Sequence, residues 1–161
     1  MVDWYQKVTR NITELPNCID FFENELDEAR SEIILKGTLE RASSVLPAIV
    51  ETRFAQLHTI EGILEILNID LRQLKSKVFR KYLESYNRQL SSRDAQAYVE
   101  GEQEVVDQAK LINELALLRN QWLGVLKAIE AKQFQINNIV KLRVAGLEDT
   151  EINVFYGNPN R

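Results

Sequence analysis

Residues 111–139, LINELALLRNQWLGVLKAIEAKQFQINNI, decide the fold of this chain. Leu111, Leu115, Leu118, Trp122, Val125 and Ile129 recur at alternating intervals of four and three. After a step over Lys132 the stripe resumes at Ile136 and Ile139. That period belongs to a helix packing along one face. Upstream, Ser91 with Asp94 three residues on is a Ser-x-x-acid pattern that can satisfy the first free N–H groups of a helix. Downstream, Lys141 and Arg143 suit the negative end of a helix, and Gly146 can adopt the left-handed conformation that ends one. The pattern predicts a single long helix over about 92–145.

Roughly fifty residues at about 1.5 Å each span about 75 Å, whereas a compact domain of this length has a radius of gyration near 15 Å. Such a helix must bend, break or pack against partners, and Gly101 and Gly124 are its weakest points. Ile112, Ala116, Leu123, Leu126 and Phe134 widen the stripe beyond what one partner helix covers, which suits a multi-helix bundle or a ring of subunits. The expectation is an all-α, elongated helical bundle that forms a homo-oligomer. Leu111, Leu115, Leu118, Trp122, Val125, Ile129 and Ile136 are its predicted oligomer interface.

Working outward, 1–146 reads as one helical domain: acidic helices over 1–45, middle helices over 47–90, then the long helix. Trp4, Tyr5 and Val8 share one face of a short helix, either pinning the amino terminus to the bundle or forming a hook for a partner. Pro16 suits a first helical turn, and Ile19, Phe22, Leu26, Ala29 and Ile33 predict an amphipathic helix running to about Gly37. Between Asp20 and Glu32 stand six acids and one base. They form either a solvated face or a docking surface for a basic partner.

Ser43, Ser44 and Pro47 punctuate the chain before the stripe Val50, Phe54, Leu57, Ile60, Leu64, Leu67. Residues 68–70 read either as a turn, with Asp70 capping the next helix, or as continuous helix. From Leu71 to Arg93 the charge reverses, with seven bases against Glu84 alone. On a helical projection Leu71, Leu74, Val78, Phe79, Tyr82, Leu83, Tyr86 and Leu90 fill one broad side. Lys77, Arg80, Lys81 and Arg88 cluster opposite, around Glu84. This strip fits an ordinary solvated face or a surface that tracks phosphates. Tyr82 and Tyr86 lie on the apolar side, so core packing suits them better than base stacking. Residues 147–161, with the alternating Ile152 to Tyr156, read as a flexible tail or a segment that docks on a neighbour.

The formal charge of −4 and pI near 5.2 argue against wholesale nucleic-acid electrostatics and leave local basic strips as the alternative. Convergent chemistry is scarce: His58 and Cys18 are each the only residue of their type and lie far apart in sequence. No zinc spacing, phosphate loop or nucleophile elbow is present. The expectation is a non-enzymatic protein with no cofactor, no metal site and no catalytic residues, and with Cys18 as a small buried hydrophobe. No apolar run is long enough to span a membrane and no signal pattern stands at the amino terminus, so a cytoplasmic location is expected.

The run Gln121 to Ile139, continuing through Lys141, Arg143, Ala145 and Gly146, resembles the ending of the UvsY recombination mediator family of T-even-like phages. An aromatic, a small residue, a Leu-x-x-Ile step, a basic residue, an aromatic-x-Ile step, Asn-x-Ile and a closing Ala-Gly carry the likeness. It covers about the last third of the chain, and the amino-terminal half departs from the family's opening. The resemblance implies an oligomeric helical protein that binds single-stranded DNA, helps displace the single-strand-binding protein and loads a recombinase, in the host cytoplasm if phage-encoded. Lys127, Lys132, Lys141 and Arg143 fall on or beside the matching segment as candidate phosphate contacts. The alternative is a phage structural or adaptor coiled-coil protein acting through protein–protein contacts.

Overall fold

In a computed structural model, residues 3–85 and 91–147 are described. They contain five α-helices, α1 (Trp4–Arg10), α2 (Leu15–Ile33), α3 (Leu39–Ser85), α4 (Ser92–Gly101) and α5 (Gln103–Val144), and no strand. A 3-10 turn over Ile12–Glu14 leads into α2, whose first turn holds Pro16.

The middle of the chain differs from its sequence punctuation. Instead of a helix beginning at Pro47, α3 starts at Leu39, with Thr38 Oγ1 accepting from the Arg41 N–H at 3.3 Å. It runs through Pro47 and through 68–70 without interruption. Proline removes one helical hydrogen bond, but Ala42 and Leu46 before it and Leu57, Ile60, Ile63 and Leu67 after it are buried in one core. Tertiary packing of that face outweighs the local cost. Asn68 makes no turn; its amide donates to the Leu64 carbonyl one helical turn back.

The long carboxyl-terminal helix is broken where its first glycine stands. Glu102 is extended (φ −65°, ψ 130°) and separates α4 from α5, correcting the single helix over 92–145. The break has a packing reason. Val99 and Val105 are six residues apart and would point apart on a continuous helix, yet both are buried against Val78 of α3. Gly124 causes no break. The predicted ends hold: Ser91 Oγ accepts from the Asp94 N–H at 3.2 Å, and Gly146 takes a φ of 71° as the Leu147 N–H donates back to Leu142.

Cross-helix pairs set the topology. Gln108 reaches the Leu67 carbonyl and Arg119 reaches Glu61, so α5 runs antiparallel to α3. Phe22 meets Trp122 edge-on at 6.4 Å and Lys132 meets the Glu32 carbonyl, so α5 runs parallel to α2. The result is a three-helix bundle with α1 laid on α3 and α4 extending α5 along the far half of α3.

This topology corrects the predicted oligomer interface. Leu115, Leu118, Trp122, Val125, Ile129 and Ile136 are buried within the single chain, and Leu111 packs half-buried on the same core. The wide stripe needs two covering helices, and α2 and α3 supply both. In the same register Ile136 lies opposite the start of α3, so α5 overruns its neighbours and every residue from Val140 to Leu147 is exposed.

Candidate nucleic-acid interface

The far half of α3 carries the basic strip. Spacings of three and four residues place Ile69, Arg72, Gln73, Ser76, Lys77 and Arg80 on one side of the helix, where they line a shallow groove. Lys77 and Arg80 are exposed and form no ion pair among the described residues. Arg72 stands 3.7 Å from Glu65, both well exposed, a contact that solvent screens to little net energy. Lys81 stands 3.7 Å from the Glu102 carboxylate at the helix break. Arg88 and Tyr86 lie outside the described residues, as does the segment 148–161.

Tyr82 is committed elsewhere. Its hydroxyl donates to Glu102 Oε2 at 2.5 Å and its ring stacks on Tyr98 at 5.5 Å. It belongs to the α3–α4 seam, in keeping with its place on the apolar side.

Lys132 is not a phosphate contact. It is only 7 % exposed, and its Nζ donates to the carbonyls of Glu32 at 2.8 Å and Ile34 at 3.2 Å. It thereby satisfies carbonyls at the end of α2. Burial holds its ammonium pKa below the usual lysine value, with Lys36 adding to the shift and Glu32 opposing it. Lys127 on α5 is exposed, as are Lys141 and Arg143 in its last turn. These three lie toward the opposite end of the bundle from Lys77, with Lys141 on the order of 50 Å away along the axis. The structure therefore gathers Lys77 and Arg80 with Arg72 in one groove, sets Lys75 and Lys81 to its flanks against carboxylates of the α4–α5 junction, and leaves the α5 cations apart. Arg72 and Lys75 were visible in the basic run; Arg72 is marked by lining one groove with Lys77 and Arg80, whereas Lys75 lies round the helix from them and is marked by its reach to Glu100 of α4.

Compared with models of known protein families, with curated proteins and with solved structures, the chain matches none. The remaining reactive groups therefore rest on geometry alone. Cys18 is fully buried, and burial pushes its thiol up to about 12, which leaves it protonated and unreactive. His58 is exposed, 3.3 Å from Glu61 Oε2, and stacks on Phe54. No group of three or more potential metal ligands occurs among the described residues, and no helix among them is long and apolar enough to cross a membrane.

The acidic segment has an internal role as well. Arg53 is buried, taking both carboxylate oxygens of Glu32 at 2.8 Å and one of Glu25 at 2.7 Å. The hydrogen bond to Glu32 leads the effects that raise its pKa. Two of the six acids in 20–32 thus tie α2 to α3 by hydrogen bonds, Glu28 stands exposed at 4.0 Å from the same guanidinium, and Asp20, Glu23 and Asp27 face solvent.

Proposed function

We propose that this chain is a non-enzymatic, single-stranded DNA-binding protein whose primary contact is the outer groove of α3, and that it serves as a recombination mediator loading a recombinase. The observation that carries the binding half is the pair Lys77 and Arg80. These two cations are exposed, without an acid counterpart among the described residues, and beside Arg72 on an otherwise acidic protein. A row of cations along a groove engages the phosphate backbone without reading sequence. The mediator role, with its recombinase and single-strand-binding protein partners in the cytoplasm, rests on the resemblance of residues 121–146.

Fluorescence anisotropy with a labelled single-stranded oligonucleotide at two salt concentrations tests this reading. Affinity should fall steeply with salt, by about 0.7 log units per log unit of salt for each phosphate neutralised. Lys77→Glu with Arg80→Glu should weaken binding at least about tenfold regardless of sequence, since each reversal both removes and repels a phosphate contact. An unchanged affinity overturns the site.

A second reading, an adaptor acting through protein contacts, is favoured by the overrun of α5. There Val140, Leu142, Val144 and Leu147 are exposed beside Lys141 and Arg143. It predicts no salt-sensitive oligonucleotide binding. Self-association belongs to either reading and, with the α5 stripe covered inside the chain, falls to this overrun.

A further inference from the structure

The α3 groove does not end at Arg72. That residue also lines a second depression with Glu65, Asn68 and Lys75, and Lys75 in turn lines a third with Glu100, Val106 and Lys110. Through Arg72 and Lys75 the three adjoin one another round α3 as an interrupted furrow. It runs from Arg80 across the outer face of α3 into the seam where α3, α4 and α5 meet, with Lys77, Arg72, Lys75 and Lys110 along it.

Lys75 and Lys81 are the two cations of this strip whose places are filled by carboxylates of the α4–α5 junction. Lys75 Nζ donates to both oxygens of Glu100, at 2.9 and 2.8 Å. Lys81 faces Glu102. Glu100 stands at the carboxyl end of α4, where the helix dipole disfavours negative charge, whereas Glu102 also stands at the amino end of α5, where the dipole favours it, and accepts from the Tyr82 hydroxyl. The position of Glu100 is therefore explained by Lys75 and not by its helix. The lysine contact also holds the Glu100 carboxyl below the usual glutamate range. A carboxylate carries the single negative charge of a backbone phosphodiester and, like it, accepts charge-assisted hydrogen bonds from an ammonium.

Building on the binding site proposed above, we infer that the end of α4 is an internal phosphate mimic. Glu100 and Glu102 occupy Lys75 and Lys81 in the free protein, and single-stranded nucleic acid displaces them, extending its track from Arg80, Lys77 and Arg72 onto Lys75 and toward Lys110. The two ion pairs then act as a threshold. A short or weak polyanion stays on the outer groove, and a longer strand opens the seam.

The test uses the full-length chain and a labelled single-stranded oligonucleotide. It compares the unaltered protein with Glu100→Gln/Glu102→Gln and with a charge-matched control, Asp20→Asn/Glu23→Gln, on the solvent face of α2. The junction variant should bind about fivefold tighter than the control, the equivalent of two exposed ion pairs no longer broken. Its salt dependence should steepen by about 1.4, for two further phosphates. Adding Lys75→Gln should cancel part of the gain. Equal affinity in the junction variant and the control overturns this inference and leaves the α3 groove standing. Absence of oligonucleotide binding by every protein in the series overturns both, whereas binding by the junction variant alone supports the inference. Circular dichroism checks the fold, and where the double variant melts early the single Glu100→Gln carries the same comparison, because glutamine keeps the hydrogen bond from Gln96.

Discussion

Lys132 and Cys18 show how single residues are defined by what encloses them. Lys132 sits at a core position of the α5 stripe, between Ile129 and Ile136, and ties α5 to the end of α2 through two carbonyls. Replacing it with methionine should cost about 2 kcal/mol in urea melts, the loss of charge-assisted hydrogen bonds to partly buried carbonyls offset in part by easier burial. Oligonucleotide affinity should stay unchanged, since the ammonium does not face solvent. Cys18 carries a pH signature. Its thiol is raised from 9.0 to about 12 in the fold, so the stability from burying the neutral thiol is complete below pH 9 and is lost as pH climbs from 9 toward 12. Between pH 8 and pH 10 the protein should lose about 1 kcal/mol relative to its Cys18→Ala variant in denaturant titrations, and an equal loss in both would contradict the assignment. The step over Lys132 in the stripe was legible from sequence; its meaning was not. Periodicity marks a position as inward-facing but does not say whether a buried cation there will find carbonyls.

At the scale of elements, the face of each helix was readable and its limits were less so. Ser91 and Gly146 marked true ends because capping is local chemistry, decided by residues within one turn. Pro47 and Glu102 were misleading or silent because their outcomes are decided at a distance. The proline is carried by the buried face of α3, and Glu102 breaks its helix so that Val99 and Val105 can both reach Val78. The cost of Pro47 remains measurable. It is exposed and interior to α3, so Pro47→Ala restores a helical hydrogen bond without disturbing the core. It should raise stability by about 2 kcal/mol, and a loss of stability on removing the proline would mean that the backbone conformation it fixes is used in packing. The Arg53 clamp was hidden for a related reason. The acids of α2 look uniform in sequence, and only the approach of α3 singles out Glu25 and Glu32.

The whole molecule is a rod with two different ends. Helix α3 alone spans about 70 Å, so small-angle scattering should give a radius of gyration of at least about 20 Å, against about 15 Å for a compact domain of this length. One end bears the basic furrow; the other bears the overrun of α5, where Val144 is 85 % and Leu147 66 % exposed. The sequence stripe pointed to self-association through the middle of α5, but a hydrophobic stripe records only that something covers it, and here the chain's own α2 and α3 do so. What is left uncovered is the overrun, where Val140 and Val144 stand one helical turn apart and Leu142 and Leu147 are exposed beside them, an apolar end that second copies can bury. Light scattering on a sizing column at micromolar concentration should therefore return a mass above the 18.7 kDa of one chain. Val140→Asp with Val144→Asp should bring it down to one chain without lowering helix content, because neither side chain supports the core. Lys77→Glu with Arg80→Glu should leave the mass unaltered while weakening oligonucleotide binding. The two ends are then separable in a single set of variants, and a protein that is already monomeric before substitution removes self-association from the account while leaving the α3 groove to be judged by its own salt dependence.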